Sequence, residues 1–224
     1  MKFKIVVILV FCIFFSCTKK VLVKNQYSIL EEKDRAALKD KLLEDRFTNL
    51  LPELMDKSEI DMWLLISREY NEDPVLKTML PATWLNARRR TIIVFYRNKE
   101  KNTLERLAVA RYNIGKSIKS AWDKEKEPNQ WVALAEMIRE RNPKKIGINF
   151  SKHFPLADGL VKTDYDELKE NLPEELGSKL VSAEKLAIAW IETRTKKELE
   201  LFRELVKITH DIIDEAFSEE VIVP

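Results

Sequence analysis

Two short apolar runs constrain this chain more than any other feature. Ile60 to Ile66 reads IDMWLLI, and Thr91 to Tyr96 reads TIIVFY. Neither alternates apolar with polar residues, so neither suits a strand with one face in water. Both suit strands covered on two faces, and a sheet covered on both faces needs helices on both. The chain supplies helical patterns around these runs. From Glu31, the residues Ala36, Leu38, Leu42, Leu43, Phe47, Leu50, Leu51 and Leu54 recur at helical spacing, with Glu31, Glu32 and Asp34 at the acidic start. Pro52 marks a break or a new first turn. Trp131 to Arg141, WVALAEMIRER, is amphipathic and is stopped by Asn142-Pro143. Tyr165 to Leu172 is helical up to Pro173. Thr195 to Phe217 is helical again, with Leu199, Phe202, Val206, Thr209, Ile212, Ile213 and Ala216 on one side.

Further strands complete the pattern. The polar turn RNKEKNT, residues 97–103, leads into Leu104 to Tyr112, so 91–112 reads as a long antiparallel hairpin. Lys145 to Asn149 and Lys179 to Ala183 read as short strands. Residues 67–90 are irregular and rich in charge and aromatics. Residues 186–199 read as a short connector leading into the last helix. The order is helix, strand, hairpin, helix, strand, helix, strand, long helix. It predicts a three-layer α/β domain with a mixed sheet, followed by a long helix. There is no internal repeat, glycine-rich phosphate loop or charge block.

The first residues are an address. Lys2 and Lys4 precede an apolar run from Ile5 to Phe15, 11 residues long, where a spanning helix needs roughly 20. This fits the h-region of a secretory signal. Phe14-Phe15-Ser16-Cys17, followed by Thr18-Lys19-Lys20, resembles the lipobox of bacterial lipoproteins, with Phe where Leu is commoner. Residues 1–16 are then a lipoprotein signal peptide, Cys17 is the lipidated N-terminus, and 17–30 is a tether. The expected location is exported and membrane-anchored, facing the periplasm or the cell surface. A plain secretory signal with an incidental Cys is the other reading. Cys12 and Cys17 are the only 2 cysteines of the chain, so the body has no disulfide, thiol nucleophile or Cys-ligated zinc site. Basic residues number 39 and acidic residues 37. Without Lys2 and Lys4 the body is formally neutral, which argues against nucleic acid as a partner.

The candidate chemical groups have bland alternatives. His153 and His210 are the only histidines. His210-Asp211 with Asp214 at i+4 reads as a solvated helix face, and His153 as a loop residue. Ser67 and Ser151 have no obvious base and no G-x-S-x-G context. Glu69, Glu72 and Asp73 cluster in the irregular segment. They form either a carboxylate pair for glycosidase-like chemistry or, more simply, a turn. Arg88-Arg89-Arg90 reads as a solvated strand entrance.

Two stretches carry a family resemblance. Leu186 to Leu199, LAIAWIETRTKKEL, passes through Arg194 and Lys196-Lys197-Glu198 into a long helix. It resembles the R-x-x-K…E-[IL] junction of the creatinase/prolidase/aminopeptidase P family, where the N-terminal domain enters the catalytic "pita-bread" domain. Glu198 to Pro224 resembles the first catalytic-domain helix and the start of an I-x-P-G turn. Residues 62–96 and 150–160 also resemble the creatinase-type N-terminal domain. The resemblance implies a creatinase/prolidase N-terminal domain of ribonuclease-H-like topology at 31–190, and a truncated start of the catalytic domain at 191–224. The complete enzymes of this family hydrolyse the peptide bond before proline with two divalent metal ions (Mn, Zn or Co). Their ligands, two Asp, one His and two Glu, lie in the pita-bread domain, so none is carried over to this chain. Its catalytic and metal residues are therefore none, and its implied role is substrate gating and subunit association. In the family this domain borders a neighbouring subunit's active site, which makes Trp84 and Arg88 the candidates for that border. The implied partners are a second copy or a separate catalytic domain, with peptide substrate only in the complete enzyme. The alternative is a stand-alone, non-enzymatic, membrane-tethered binding module of the same fold.

Overall fold

The computed structural model describes residues 29–218 and 221–222. The expected signal peptide, Cys17 and most of the tether lie outside the described residues.

The two apolar runs become the centre of one sheet. Strand β1 (Met62–Arg68) pairs antiparallel with β2 (Arg90–Asn98), with Leu64 opposite Val94 and Leu65 opposite Ile93. β2 turns back into β3 (Thr103–Val109), again antiparallel. A short β4 (Lys119–Ser120) runs parallel beside β3. On the other side of β1 lie β5 (Ile146–Ile148) and then β6 (Leu180–Ser182), both parallel to it. The order is β4-β3-β2-β1-β5-β6, and β2 alone runs against the rest. The stretch β3-β2-β1-β5-β6 with its reversed second strand is the ribonuclease-H-like arrangement. The two-residue β4 is an addition that the sequence pattern did not predict.

Alternate residues of the central strands feed opposite layers, which explains why the runs show no polar face. Trp63, Leu65, Ile93 and Phe95 pack with one group of helices. These are α1 (Glu32–Asp45), a π-helical turn (Arg46–Leu50), α2 (Leu51–Lys57), α3 (Pro74–Lys77) and α7 (Glu184–Glu192). Met62, Leu64, Ile66, Ile92 and Val94 pack with α4 (Gln130–Arg141), α5 (Lys162–Asn171) and α6 (Glu174–Gly177). The domain is thus a three-layer α/β structure. Pro52 comes just after the π-helical turn, and the backbone stays in the right-handed helical region through Asp45, Arg46, Leu50 and Leu51, so the wider turn admits the proline without ending the helix. α4 is capped by Asn129, whose side chain accepts from the Trp131 N–H at 2.9 Å. It ends on Asn142 in the left-handed region, φ 41°.

The connector expected at 186–199 is the main correction to the fold. Its first half is helix α7, which buries Leu186, Ala187 and Trp190. Trp190 is the keystone of its layer. It stacks on Phe47 at 5.7 Å, and its indole N–H donates to Thr78 Oγ1 at 2.8 Å. Only Thr193 to Thr195 remains as a true connector before α8 (Lys196–Ala216).

The start of α8 is well fixed. Thr195 and Glu198 form a reciprocal capping box. Buried Arg46 donates to Glu198 at 2.9 Å, to the Thr193 carbonyl at 2.9 Å and to the Trp190 carbonyl. Lys197 pairs with Asp45 at 2.6 Å. Beyond this root no residue of α8 is buried. Its apolar side stays open, with Phe202 45%, Leu205 57% and Ile212 60% exposed.

Candidate functional site

The irregular segment between β1 and β2 holds the predicted border residues. Tyr70 and Arg89 take positive φ values, 67° and 50°, near its two ends. The ends are clasped by reciprocal bonds. The Glu69 N–H donates to the Arg89 carbonyl at 2.6 Å, and the Arg89 N–H donates to Glu69 Oε2 at 3.0 Å. From this clasp the chain rises, and Trp84 and Arg88 meet. The Arg88 guanidinium lies 4.6 Å above the Trp84 ring and 5.7 Å from the Tyr112 ring. The two rings meet edge to face at 5.8 Å. The Tyr112 hydroxyl and Thr91 Oγ1 both donate to the Arg88 carbonyl, at 2.6 and 3.0 Å, which fixes the backbone beneath the guanidinium.

The arrangement is an arginine clamped between aromatic faces. Such a contact stabilises by about 0.5–1 kcal/mol at an exposed site. It leaves the guanidinium N–H groups unused. Those N–H groups have no acceptor among the described residues, so they can grip a carboxylate bidentately. The sequence reading paired Trp84 with Arg88. It missed Tyr112, which arrives from the far end of the hairpin and has no local signal.

The other candidates resolve into structural roles. Asp73 is fully buried. It caps α3 by accepting from the Leu76 N–H at 2.9 Å, and it accepts from Asn149 Nδ2 at 2.9 Å. Asn149 in turn accepts from the Trp63 indole at 2.8 Å. Burial pushes the Asp73 carboxyl up, and these donors oppose the rise. Gly159 seals the group: a Cβ there would sit 2.2 Å from Asp73 Oδ2. Glu69 is used in the clasp, and Glu72 accepts from the Tyr70 N–H at 3.2 Å. The three carboxylates therefore form turns and caps, and no catalytic pair.

Ser67 accepts from the Asp73 N–H at 3.0 Å. Ser151 donates to Glu184 and accepts from the His153 and Phe154 N–H groups at 3.1 and 2.8 Å. It has no imidazole base, because His153 reaches it only through the backbone. His210 is exposed on the polar side of α8. Among the described residues no group of three or more His, Cys, Asp or Glu side chains could hold a metal ion. The residues present do not fit the dinuclear centre that the family resemblance implies for complete enzymes.

A second polar cluster escaped the sequence reading. Asp164, with no exposed surface, accepts from Arg68 through Nε at 3.0 Å and Nη2 at 2.7 Å. Arg90 lies opposite Arg68 in the β1–β2 register and approaches Asp164 at 3.2 Å. It also pairs with Glu167 at 2.7 Å and lies over the Trp131 ring at 4.8 Å. This network ties β1, β2, α4 and α5 at one end of the sheet. Its charges are matched, so it reads as a structural tie.

No protein-family model and no curated protein matches the chain. Among solved structures two chains match. One of them is an Xaa-Pro dipeptidase from Bacillus anthracis, 17% identical, with a TM-score of 0.40. The match covers 75% of this chain and 39% of the dipeptidase, so the chain spans well under half of that protein's length.

Proposed function

We propose that this chain is the N-terminal, substrate-gating part of an Xaa-Pro aminopeptidase-like metallopeptidase. It is exported and tethered to a membrane through Cys17. In this reading the complete assembly hydrolyses the bond before proline with two divalent metals. The chain itself contributes no metal ligand and no catalytic residue. It contributes the gate and the surface that holds the catalytic part.

The observation that carries the reading is the pairing of a ribonuclease-H-like body with α8. This helix is rooted firmly by Arg46 and Asp45, yet it presents an open apolar side to whatever follows or joins it. The Trp84–Arg88–Tyr112 clamp supports the gating role. Its guanidinium N–H groups have no acceptor among the described residues and suit a peptide carboxylate, and Trp84 beside them is an aromatic surface that suits a prolyl ring.

Two measurements test the reading. The first is the DNA after codon 224. An in-frame or frameshifted continuation encoding the Asp, His and Glu ligands supports it, and an unrelated gene there overturns it. The second is turnover of a proline dipeptide by the isolated chain with added manganese. No turnover is expected, and metal-dependent turnover would reject the division of labour.

A further inference from the structure

A cavity of about 530 Å³ opens between α1, the segment after α3, the end of α7 and the root of α8. Its walls combine two kinds of chemistry. Leu42, Leu43, Leu80, Pro81, Trp84 and Trp190 supply apolar and aromatic surface. Lys39, Lys77 and Arg194 also line it. Among the described residues none of these three cations has a carboxylate partner. The acidic side chains that line the cavity are already engaged. Asp40 accepts from the Ala82 N–H at 2.8 Å, and Glu198 is bound by Arg46 and by the Thr195 N–H. Arg194 also repels Arg46. The cavity therefore mixes polar and apolar surface, and its four cations, Lys39, Arg46, Lys77 and Arg194, outnumber its two carboxylates, Asp40 and Glu198.

We propose that this cavity is a binding site for a small organic carboxylate with a flat apolar body. Trp84 and the neighbouring Leu42, Leu43 and Pro81 take the body and remove its surface from water. The carboxylate meets Lys77, which has no carboxylate partner among the described residues, and Arg194, whose Nη1 donates to the Ile191 carbonyl at 2.6 Å and whose remaining N–H groups face no carboxylate. A neutral molecule of the same shape leaves those cations unmatched, and a bare inorganic anion leaves the apolar wall wet. The site is separate from the Trp84–Arg88 clamp in its charged residues and does not depend on any peptidase reading. Its position gives it a consequence. Trp190, Arg194 and Glu198 both line the cavity and anchor α8, so an occupant braces the root of that helix.

The test uses the full chain and 4-phenylbutyrate, with 4-phenylbutan-1-ol as the neutral isostere and inorganic phosphate as the bare anion. Binding is followed by ¹H–¹⁵N correlation spectra, watching the Trp190 indole N–H that donates to Thr78. Saturable shifts of that signal with phenylbutyrate are expected, with much weaker shifts from the alcohol and from phosphate. Lys77→Gln and Arg194→Gln each remove one exposed charge and should weaken binding about fivefold, the size of one exposed ion pair. Lys126→Gln, at a lysine that pairs with Asp123 at 3.3 Å outside the cavity, should change nothing. Equal binding of the alcohol, equal binding of phosphate, or no loss in either charge variant would overturn the proposal. Spectra of the variants that match elsewhere in the body exclude misfolding as the cause.

Discussion

The body and α8 are both rich in apolar residues, yet they use them in opposite ways. In the body the buried aromatics pack on one another within and between layers: Trp190 on Phe47, Phe47 on Phe95, Trp63 on Phe95. Its buried charges are likewise matched, as Asp164 is by Arg68 and Arg90. In α8 the side chains of Leu199, Val206 and Ile213 stay about half exposed, and among the described residues no other layer packs over them. The lesson is that amphipathic patterning reports that a face seeks cover. It does not report whether the same chain supplies the cover.

That contrast can be broken or sharpened by substitution. The largest effect belongs to the keystone of the body. Trp190→Ala should destabilise the protein by about 3–5 kcal/mol, read from urea unfolding. It removes the Phe47 stack and frees a carbonyl region that Arg46 binds. A loss under 1 kcal/mol would show that the two regions differ less than their packing indicates. Asp164→Ala should follow at about 3 kcal/mol, because it leaves the Arg68 guanidinium without its buried acceptor and removes the charge beside Arg90. Adding Arg68→Leu should recover part of that loss.

Next comes Asp73→Ala, expected to cost roughly 1–3 kcal/mol through a lost cap and an orphaned Asn149 amide. A smaller, local effect is expected with acid at the root of α8. The hydrogen bond from Lys197 holds the Asp45 carboxyl below the usual aspartate range, against the opposing push of burial. A lowered folded pKa means this contribution is complete above the unfolded value, about 3.9. It is lost as pH falls from there through the folded value. Amide exchange around Thr195 to Leu199 should therefore rise below about pH 4, and Lys197→Gln should remove the transition. The smallest effect belongs to the open face. Ile213→Lys should leave the unfolding free energy within about 0.5 kcal/mol. The same change should reduce any self-association seen by analytical ultracentrifugation.

Much of this architecture was legible in the sequence, and the gaps have physical causes. IDMWLLI and TIIVFY announced two-sided strands because burial on both faces erases alternation. Asn142-Pro143 and Pro173 marked helix ends because proline lacks a donor and restricts the residue before it, whereas at Pro52 a new helical turn begins after a π-turn without a break. The helix α7 was hidden because LAIAWI is apolar nearly throughout, so its period cannot be seen in so short a run. β4 is too short to leave a pattern. At the candidate site, Trp84 and Arg88 could be singled out as neighbours in one loop. Tyr112 and the Arg68–Asp164 tie could not, since they are joined only by the folding of the sheet. Asp73 shows the converse: a carboxylate that looked chemical in a string of letters proved to be a cap once its surroundings were known.

The reciprocal bonds between Glu69 and Arg89 isolate what lies between them. Residues 73–80 within it belong to the core, through Asp73, Val75, Leu76 and Met79, but because the two ends are held to each other the outer stretch 82–86 can be rewritten while the strands beneath keep their register. Such an enclosure lets a lineage change what it recognises without rebuilding what keeps it folded, and this loop is where descendants of the chain should differ most.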